Sequence, residues 1–356
     1  MRILFLIHRS QARGQEIFAT QLANRLLESG NEVALVSLYA GEFDLKFKGS
    51  HFRLNLTSGV ETLFPWHWQR LIEVIQEFNP ELIQANGGDT VKFLSLTQSV
   101  FSFSAKLVFN NGGVVSHYLD SNWKKWVYQK LLSAWDGAIS VSRYSQTDLA
   151  QLLPSTCKQT QIPIAIPAQE FLLAPRSESQ VFVHIGGFTQ EKNHVELIRI
   201  FGEYLKRDPK AQLWLIGDGP LKMQIQTAAQ QVAPHAIRFF GAVPNPWALV
   251  PQNSILVLSS KMEGTPAVLA EAFLAKIPVV TYAVGGIKEM AEGFATIRLV
   301  EPGDHPSFIE AMTYWAHLPA EISGPALANS ASKAKDRFDF GRVSNQFLEF
   351  YKDVCG

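Results

Sequence analysis

Short apolar runs alternate along this 356-residue chain with longer segments of helical period, in two separate series. Such alternation is typical of βαβ units, in which helices cover both faces of a parallel sheet. Strands are predicted at 3–7, 33–38, 81–85, 106–110 and 137–142 in the first series, and at 181–187, 211–217, 237–241, 254–260 and 277–283 in the second. The predicted fold class is therefore α/β, with two doubly wound, Rossmann-like domains.

A proline-containing stretch separates the two series. Residues 162–180 hold three prolines and have no sustained hydrophobic period, which indicates an interdomain connection. We predict a first domain over 1–165, a linker over 166–180, a second domain over 181–339 and a terminal helix over 340–356 that packs back on the first domain.

Composition excludes several classes of protein. Charged residues make up only 18% of the chain and hydrophobic residues 47%, so the chain is not expected to be disordered. The formal net charge of +0 provides no global field for a phosphate polymer, and we expect no nucleic-acid partner. Cys157 and Cys355 lie far apart, which predicts a reducing, cytoplasmic compartment and no structural zinc.

The length of the apolar stretches and the composition of one segment give two further predictions. No uninterrupted apolar stretch reaches about 18 residues, so the chain is not expected to span a membrane. The Ala- and Ser-rich segment 323–335 is predicted to be a flexible surface connection.

Because ligands of doubly wound sheets bind outside the carboxyl ends of the strands, the site is expected in a cleft between the domains.

The most informative segment is 261–280, which places Glu263 and Glu271 eight positions apart around a Gly-Thr-Pro turn. Glu271 is flanked by apolar residues, so its carboxylate needs a partner, and the vicinal diol of a ligand is a candidate. The alternative is that both glutamates are exposed surface charges, as most glutamates are.

The same segment contains a helix start. Pro266 suits the first helical position, because a missing N–H is no loss there. The amides of Ala267 and Val268 are then free to bind an anion such as a phosphate.

Segment 261–280 resembles the E-x7-E signature of retaining GT-B glycosyltransferases of family 4, the group 1 glycosyl transferases. Other segments are similar to family motifs in the family's order. They are 135–149, 184–201 with its Glu-Lys-Asn, 213–225 with its Gly-Asp-Gly-Pro, 239–243 and 285–290. The resemblance implies the GT-B fold, two Rossmann-like domains that face each other across a cleft.

The resemblance also implies roles for individual residues. Glu271 would hold the ribose hydroxyls of a nucleotide sugar, Glu263 would contact the transferred sugar, and Lys192 would neutralise the leaving diphosphate. Backbone groups near Val243 would meet the base. The other positions implied for the donor pocket are Gly14, Gly186, Gly187, Gly217, Gly264, Thr265, Ala267 and Val268.

The chain departs from the family pattern beside Gly186. Many relatives carry an arginine where this chain has Gly187, as a second cation for the diphosphate. Either Lys192 acts with helix-terminus amides alone, or an arginine of the first domain compensates. The candidates are Arg9, Arg13 and Arg143.

A second departure is Asn111, at a position where relatives often have a histidine. An amide cannot act as a base, so Asn111 is expected to orient the sugar or the acceptor. We expect the leaving phosphate oxygen to accept the proton of the incoming hydroxyl, in a substitution on the same face of the sugar. His117, a few residues on, is a further candidate, although a lone loop histidine is usually a surface residue.

No metal and no cofactor are expected. The chain lacks the Asp-x-Asp pair with which other glycosyltransferases chelate a metal-bound nucleotide, and it lacks a G-x-G-x-x-G fingerprint. Positive charge and helix dipoles would replace the cation in activating a UDP- or GDP-linked donor.

An amphipathic segment at 122–135 combines Trp123 and Trp126 with Lys124, Lys125 and Lys130. Aromatic and basic residues together suit a membrane interface, which would place the protein at the inner face of the membrane. The alternative is a helix whose tryptophans pack on their own domain.

The resulting expectation is a retaining transfer of a hexosyl group from a nucleotide sugar to a glycan or lipid-linked acceptor. Polysaccharide or lipopolysaccharide biosynthesis is the expected setting. A catalytically weak sugar-nucleotide-binding protein and a GT-B sugar-nucleotide epimerase stay open as alternatives, since fold alone does not decide function.

Overall fold

The computed structural model describes residues 1–11, 13–167 and 171–356, and these divide into two compact units. Unit 1 comprises Met1–Ala165 and Phe340–Gly356, and unit 2 comprises Ile166–Asp339. Residue 12, in the loop before Gly14, and residues 168–170, in the predicted linker, lie outside the described residues.

The regular elements follow one another in βα order. The strands are β1 Arg2–Arg9, β2 Glu32–Tyr39, β3 Ser50–Leu56, β4 Leu82–Asn86, β5 Lys106–Asn111, β6 Gly137–Ser140, β7 Lys158–Gln161, β8 Val181–Ile185, β9 Gln212–Ile216, β10 Ile237–Gly241, β11 Ile255–Leu258, β12 Val279–Tyr282 and β13 Ile297–Val300. The α-helices are α1 Gly14–Glu28, α2 Pro65–Phe78, α3 Gly88–Val100, α4 Asn122–Leu132, α5 Arg143–Ala150, α6 His194–Tyr204, α7 Lys222–Val232, α8 Ala267–Leu274, α9 Ile287–Ala291, α10 His305–His317, α11 Ala320–Arg337 and α12 Phe340–Cys355. The 3-10 helices of the described ranges are Gly59–Leu63, Ser116–Tyr118 and Pro246–Leu249.

Unit 1 is built on a parallel sheet of seven strands in the order β3-β2-β1-β4-β5-β6-β7. The sequence of β1 is a continuous apolar run because both faces of the strand are buried. Leu4 and Leu6 pack in a core shared with α2 to α5, whereas Ile3, Phe5 and Ile7 pack in a core shared with α1 and α12. Both faces of the sheet are therefore covered, and strand order reverses between β1 and β4.

Unit 2 is built on a parallel sheet of six strands in the order β10-β9-β8-β11-β12-β13. Its strand order reverses between β8 and β11, which pair through Ile255 opposite Phe182. In such sheets a crevice opens at the carboxyl ends of the two strands that flank the reversal. The predicted α/β class with two doubly wound parallel sheets is confirmed.

The predicted linker 166–180 lies in unit 2 where the structure describes it. Ala174 N–H donates to the Val250 carbonyl at 2.9 Å, and Ser177 N–H donates to Asn253 Oδ1 at 2.8 Å. These bonds tie the second half of the segment to the chain between β10 and β11.

The prediction of a flexible connection over 323–335 is wrong, because these residues belong to α11. Their small side chains permit close packing of α11 against α8, with Ser330 and Ala334 buried. Arg337, near the end of α11, donates to the carbonyls of Glu289 and Glu292. Among the described helices, none is long and apolar enough to cross a bilayer.

Candidate functional site

The loops that follow β8 and β11 carry Lys192 and Glu263, and these side chains form an ion pair. Lys192 Nζ lies 2.6 Å from Glu263 Oε1, and Ser260 Oγ donates to the same oxygen at 2.6 Å. Glu263 and Ser260 are buried, whereas Lys192 is partly exposed. The residues for which the family resemblance implies contact with the diphosphate and with the sugar therefore contact each other. An ammonium group has three N–H donors, so Lys192 can also donate to a further acceptor.

Hydrogen bonds fix the two loops against each other. Lys261 N–H donates to the Glu191 carbonyl at 2.8 Å, and Ser259 Oγ donates to the Asn193 carbonyl at 3.1 Å. Asn193 adopts the left-handed conformation, with a φ of 55°, at the start of α6. These bonds hold together the two loops that carry the ion pair.

Glycines close the ends of β8, β9 and β10. Gly186 N–H donates to the Ile216 carbonyl at 3.0 Å, and Gly217 N–H donates to the Gly241 carbonyl at 2.8 Å. At Gly217 the φ is 148°, and a Cβ atom would lie 1.9 Å from the Gly186 carbonyl oxygen. Only glycine fits there, because backbone meets backbone.

Gly187 is different, because nothing in its surroundings requires a glycine. It is exposed, and a Cβ atom would make only ordinary contacts, at 3.8 Å with Thr189 Cγ2 and 3.9 Å with the Asp218 carbonyl oxygen. The missing arginine is therefore a difference in charge and not a consequence of crowding.

Helix α8 begins at Ala267, and Pro266 is its N-cap rather than its first helical residue, which corrects the predicted position by one. Pro266 has an extended ψ of 118°, so it ends the loop while its carbonyl accepts from Leu269 N–H at 3.0 Å. No side chain of the described residues caps the helix, and Ala267 and Val268 are half-buried in its first turn. The first amides of a helix without such a cap are available to an anion.

Two neighbouring positions complete the loop before α8. Gly264 and Thr265 are half-buried. The hydroxyl oxygen of Thr265 is buried and has no hydrogen-bond partner among the described residues. An unpartnered buried hydroxyl is costly, and a ligand group would satisfy it.

Glu271 has an indole partner that sequence analysis missed. Trp247 Nε1 donates to Glu271 Oε2 at 2.8 Å, and the Phe171 ring meets the Trp247 ring edge-on, with centroids 5.9 Å apart. Burial raises the pKa of Glu271, and the hydrogen bond from Trp247 opposes that rise. Val243 is half-buried in the loop between β10 and the 3-10 helix that carries Trp247.

Two buried histidines, His184 and His194, lie in T-shaped contact with ring centroids 4.3 Å apart. Burial lowers the pKa of His194 to about 4 and that of His184 well below its usual value, so both rings are neutral at pH 7. A Cβ atom on Gly186 would lie 3.2 Å from His184 Nε2. In the sequence, the signal for this pair is a histidine inside the apolar run of β8.

Asn111 and Gly14 belong to unit 1. Asn111 ends β5 and is buried; its Oδ1 accepts from Gly113 N–H at 3.2 Å, and its Nδ2 has no partner among the described residues. Gly14 is exposed at the start of α1, with open space around it. His117 is also exposed.

The arginines proposed as a second cation also lie in unit 1. Arg9 packs over the Tyr39 ring, 5.5 Å from its centroid, and Arg13 is exposed. Arg143 begins α5. Within the described ranges no group of three or more His, Cys, Asp or Glu side chains is arranged to hold a metal ion.

Two sequence families match the chain, one over each half. The family described as "Glycosyl transferases group 1" matches residues 166–336, and "Glycosyltransferase Family 4" matches residues 12–169.

Individual relatives match at low identity. The chain is 21% identical over 363 residues to the GalNAc-alpha-(1->4)-GalNAc-alpha-(1->3)-diNAcBac-PP-undecaprenol alpha-1,4-N-acetyl-D-galactosaminyltransferase of Campylobacter jejuni, covering 99% of both proteins. It is 27% identical over 181 residues to the Vi polysaccharide biosynthesis protein VipC/TviE of Salmonella typhi, covering 51% of this chain. The match spans only 28% of the length of that Salmonella protein.

Among solved structures, the chain is similar to Anabaena HepE in complex with UDP and glucose. The TM-score is 0.81 at 17% identity, and the similarity covers 99% of this chain and 100% of that one. At this identity the likeness establishes the fold, which is that of the GT-B glycosyltransferases.

We expect Gly285→Ala to disturb the site, because Gly285 has a φ of 51° and a Cβ atom there would lie 1.9 Å from the Glu263 carbonyl oxygen. The substitution should lower the free energy of unfolding by about 1–3 kcal/mol, measured by urea titration. Gly187→Ala is the matched control and should change it by less than about 0.5 kcal/mol. Equal effects of the two substitutions would show that the Gly285 turn does not constrain Glu263.

Proposed function

The chain belongs to the group 1 glycosyl transferases of glycosyltransferase family 4, and we propose that it transfers a hexosyl group from a UDP- or GDP-sugar to a glycan or lipid-linked acceptor. Membership of family 4 implies retention of anomeric configuration. The observation that carries the proposal is the ion pair between partly exposed Lys192 and buried Glu263, which lies beyond the carboxyl ends of β8 and β11.

The donor is expected to lie along the loops of unit 2. We assign the ribose hydroxyls to Glu271, whose carboxylate is held by Trp247, and the base to backbone groups near Val243. The diphosphate is assigned to Lys192 and to the first amides of α8, since a cation and a helix N-terminus both attract anions. The glycine turns at Gly186 and Gly217 keep side chains away from this path.

Charge on the leaving group decides the rate of the proposed reaction. As the glycosidic bond breaks, negative charge develops on the diphosphate, and Lys192 stabilises it from a fixed position. Glu263 has two functions in this scheme: it holds the Lys192 ammonium through Oε1 and accepts from sugar hydroxyls through its other oxygen.

The acceptor step is assigned to unit 1. Asn111 donates from its unpartnered Nδ2 to the sugar or to the acceptor, and an amide there removes no proton. We propose that the leaving phosphate oxygen takes the proton of the incoming hydroxyl while the new bond forms on the same face of the sugar.

The names of two relatives support the acceptor class. One relative is named as acting on an undecaprenol-diphosphate-linked glycan, and another as a polysaccharide biosynthesis protein. We therefore propose a role in polysaccharide or lipopolysaccharide biosynthesis, in the cytoplasm at the inner face of the membrane.

Two observations favour a second candidate, a catalytically weak sugar-nucleotide-binding protein. Gly187 leaves the diphosphate path with one cation fewer in unit 2 although the space for a side chain is present, and Asn111 supplies no base. A GT-B sugar-nucleotide epimerase also stays open as an alternative, because an epimerase acts on the nucleotide sugar alone and needs no acceptor.

A donor panel separates these functions. The full chain is incubated with UDP- and GDP-sugars, with and without a lipid-diphosphate-linked glycan, and released nucleotide and sugar products are measured. Transfer to the acceptor, unchanged in a chelator and with the donor's anomeric configuration by NMR, is the expected result. Binding without turnover would favour the weak binder, and a changed sugar still attached to its nucleotide would favour the epimerase. Activity that is lost in chelator and restored by manganese would contradict the metal-free scheme.

The pH dependence of nucleotide binding should report Glu271. Burial raises the pKa of Glu271, and its ionised form is the acceptor for ribose hydroxyls, so UDP or GDP affinity should fall as the pH drops through that raised pKa. Trp247→Phe removes a hydrogen bond that holds the pKa down, so it should move the acidic limb to higher pH and cost about 1 kcal/mol of affinity at pH 7.

Calorimetry at a series of pH values provides the measurement. Trp315→Phe, at another buried tryptophan of unit 2, is the matched control and should reproduce the parent profile. If Trp247→Phe leaves both the affinity and the acidic limb unchanged, Glu271 does not contact the nucleotide.

A further inference from the structure

Helix α4 exposes two tryptophans on its first two turns. The side chains of Trp123 and Trp126 are 67% and 50% exposed, and their rings stack with centroids 5.1 Å apart. Lys130 Nζ lies 5.8 Å from the centroid of the Trp126 ring. The two rings therefore stack on each other and stay exposed, whereas the alternative drawn from the sequence expected them to pack on their own domain.

A second apolar cluster, which the sequence did not reveal, lies at the start of α2. Phe64 and Trp66 stack with centroids 4.5 Å apart and an interplanar angle of 9°, and Trp66 is 60% exposed. Val60 and Leu63, in the preceding 3-10 helix, are also exposed. We call the two clusters together the aromatic surface, which consists of Val60, Leu63, Phe64, Trp66, Trp123 and Trp126.

Topology places both clusters on one face and one edge of unit 1. Helices α2, α3 and α4 pack on the same face of the sheet, and each begins beyond the carboxyl end of the strand that precedes it. Helix α3 contacts α4 as well as α2 and the 3-10 helix Gly59–Leu63. Both clusters therefore lie at the starts of helices on the carboxyl-end edge of this sheet, the edge at which Asn111 ends β5.

Cations accompany the apolar groups. Lys92 and Lys124 lie beside Asp89 and Asp120, which compensate their charges. Lys125 and Lys130 form no ion pair with a carboxylate of the described residues. An exposed apolar surface with uncompensated lysines beside it suits the boundary between lipid headgroups and acyl chains, where aromatic rings reside.

We propose that the aromatic surface binds an anionic lipid bilayer. A sugar-binding platform would present open ring faces, but each ring pair here is stacked on itself, and aliphatic side chains add apolar area that sugars do not use. The lysines supply attraction to anionic headgroups. The surface lies at the same edge of the sheet as Asn111, so it would bring the edge to which the acceptor is assigned towards the lipid; this consequence alone rests on the proposed function.

The test is sedimentation of the full chain with vesicles, without any nucleotide sugar, so that its outcome is independent of transferase activity. Vesicles of phosphatidylcholine alone are compared with vesicles that also contain phosphatidylglycerol. We expect binding to the anionic vesicles, a blue shift of tryptophan emission, and weakening by salt.

Variants locate the contact. Combined serine substitutions at Trp66, Trp123 and Trp126 should lower the apparent partition coefficient at least about tenfold, and Lys125→Glu with Lys130→Glu should reduce binding to the anionic vesicles. Met223→Ser removes an apolar side chain of unit 2 that is more exposed than any of these tryptophans, and it should have no effect. Circular dichroism checks that each variant folds. If the triple variant does not fold, the single variant Trp123→Ser replaces it and should weaken binding by a smaller factor.

Three results would overturn the proposal. The chain could stay in the supernatant with anionic vesicles, or the tryptophan variants could sediment like the parent. A soluble acceptor glycan could shift the tryptophan emission while vesicles do not, in which case the surface is a glycan platform.

Discussion

The ion pair between Lys192 and the buried carboxylate of Glu263 is the interaction on which the proposed chemistry depends. Removing a carboxylate from water is costly, and the cost is offset only when a cation and further hydrogen bonds surround it. Here Lys192 Nζ and the Ser260 hydroxyl both contact Oε1 of Glu263, and backbone bonds between the two loops keep them in place. The charge that would stabilise a leaving diphosphate is thus positioned before any substrate arrives, which is the arrangement that electrostatic catalysis requires.

The two glutamates of the E-x7-E segment occupy different environments although they lie only eight residues apart. Glu263 has an ammonium partner, whereas Glu271 has a neutral indole, and burial raises the pKa of Glu271. Each carboxylate has a second oxygen that can accept from a hydroxyl, but only Glu263 lies beside a cation, which is where negative charge would develop during transfer. This contrast gives a physical reason for assigning the reacting sugar to Glu263 and the ribose to Glu271.

The fold could be predicted from the sequence because apolar runs buried on both faces mark parallel strands. Strand β7 was missed because its sequence, KQTQ, lies at a sheet edge and carries no apolar pattern. Helix α11 was mistaken for a flexible connection because its small residues, which pack against α8, have the composition of a linker. Trp247 was not predicted as the partner of Glu271, because a contact between residues 24 positions apart leaves no local spacing in the sequence. The cluster around Trp66 is local in the sequence, but the sequence does not show whether apolar residues at the start of a helix are buried or exposed.

A double-mutant cycle on turnover tests most directly whether Lys192 and Glu263 act as one unit. Initial rates are compared for the parent chain, Lys192→Met, Glu263→Gln and the double variant, at saturating donor and with nucleotide affinity measured beside them. The account predicts that Lys192→Met lowers turnover by about 10²–10³. The double variant should be little worse than Lys192→Met alone, because residues that act together are strongly non-additive. Independent, multiplicative losses, or a Lys192→Met variant that turns over like the parent, would contradict it.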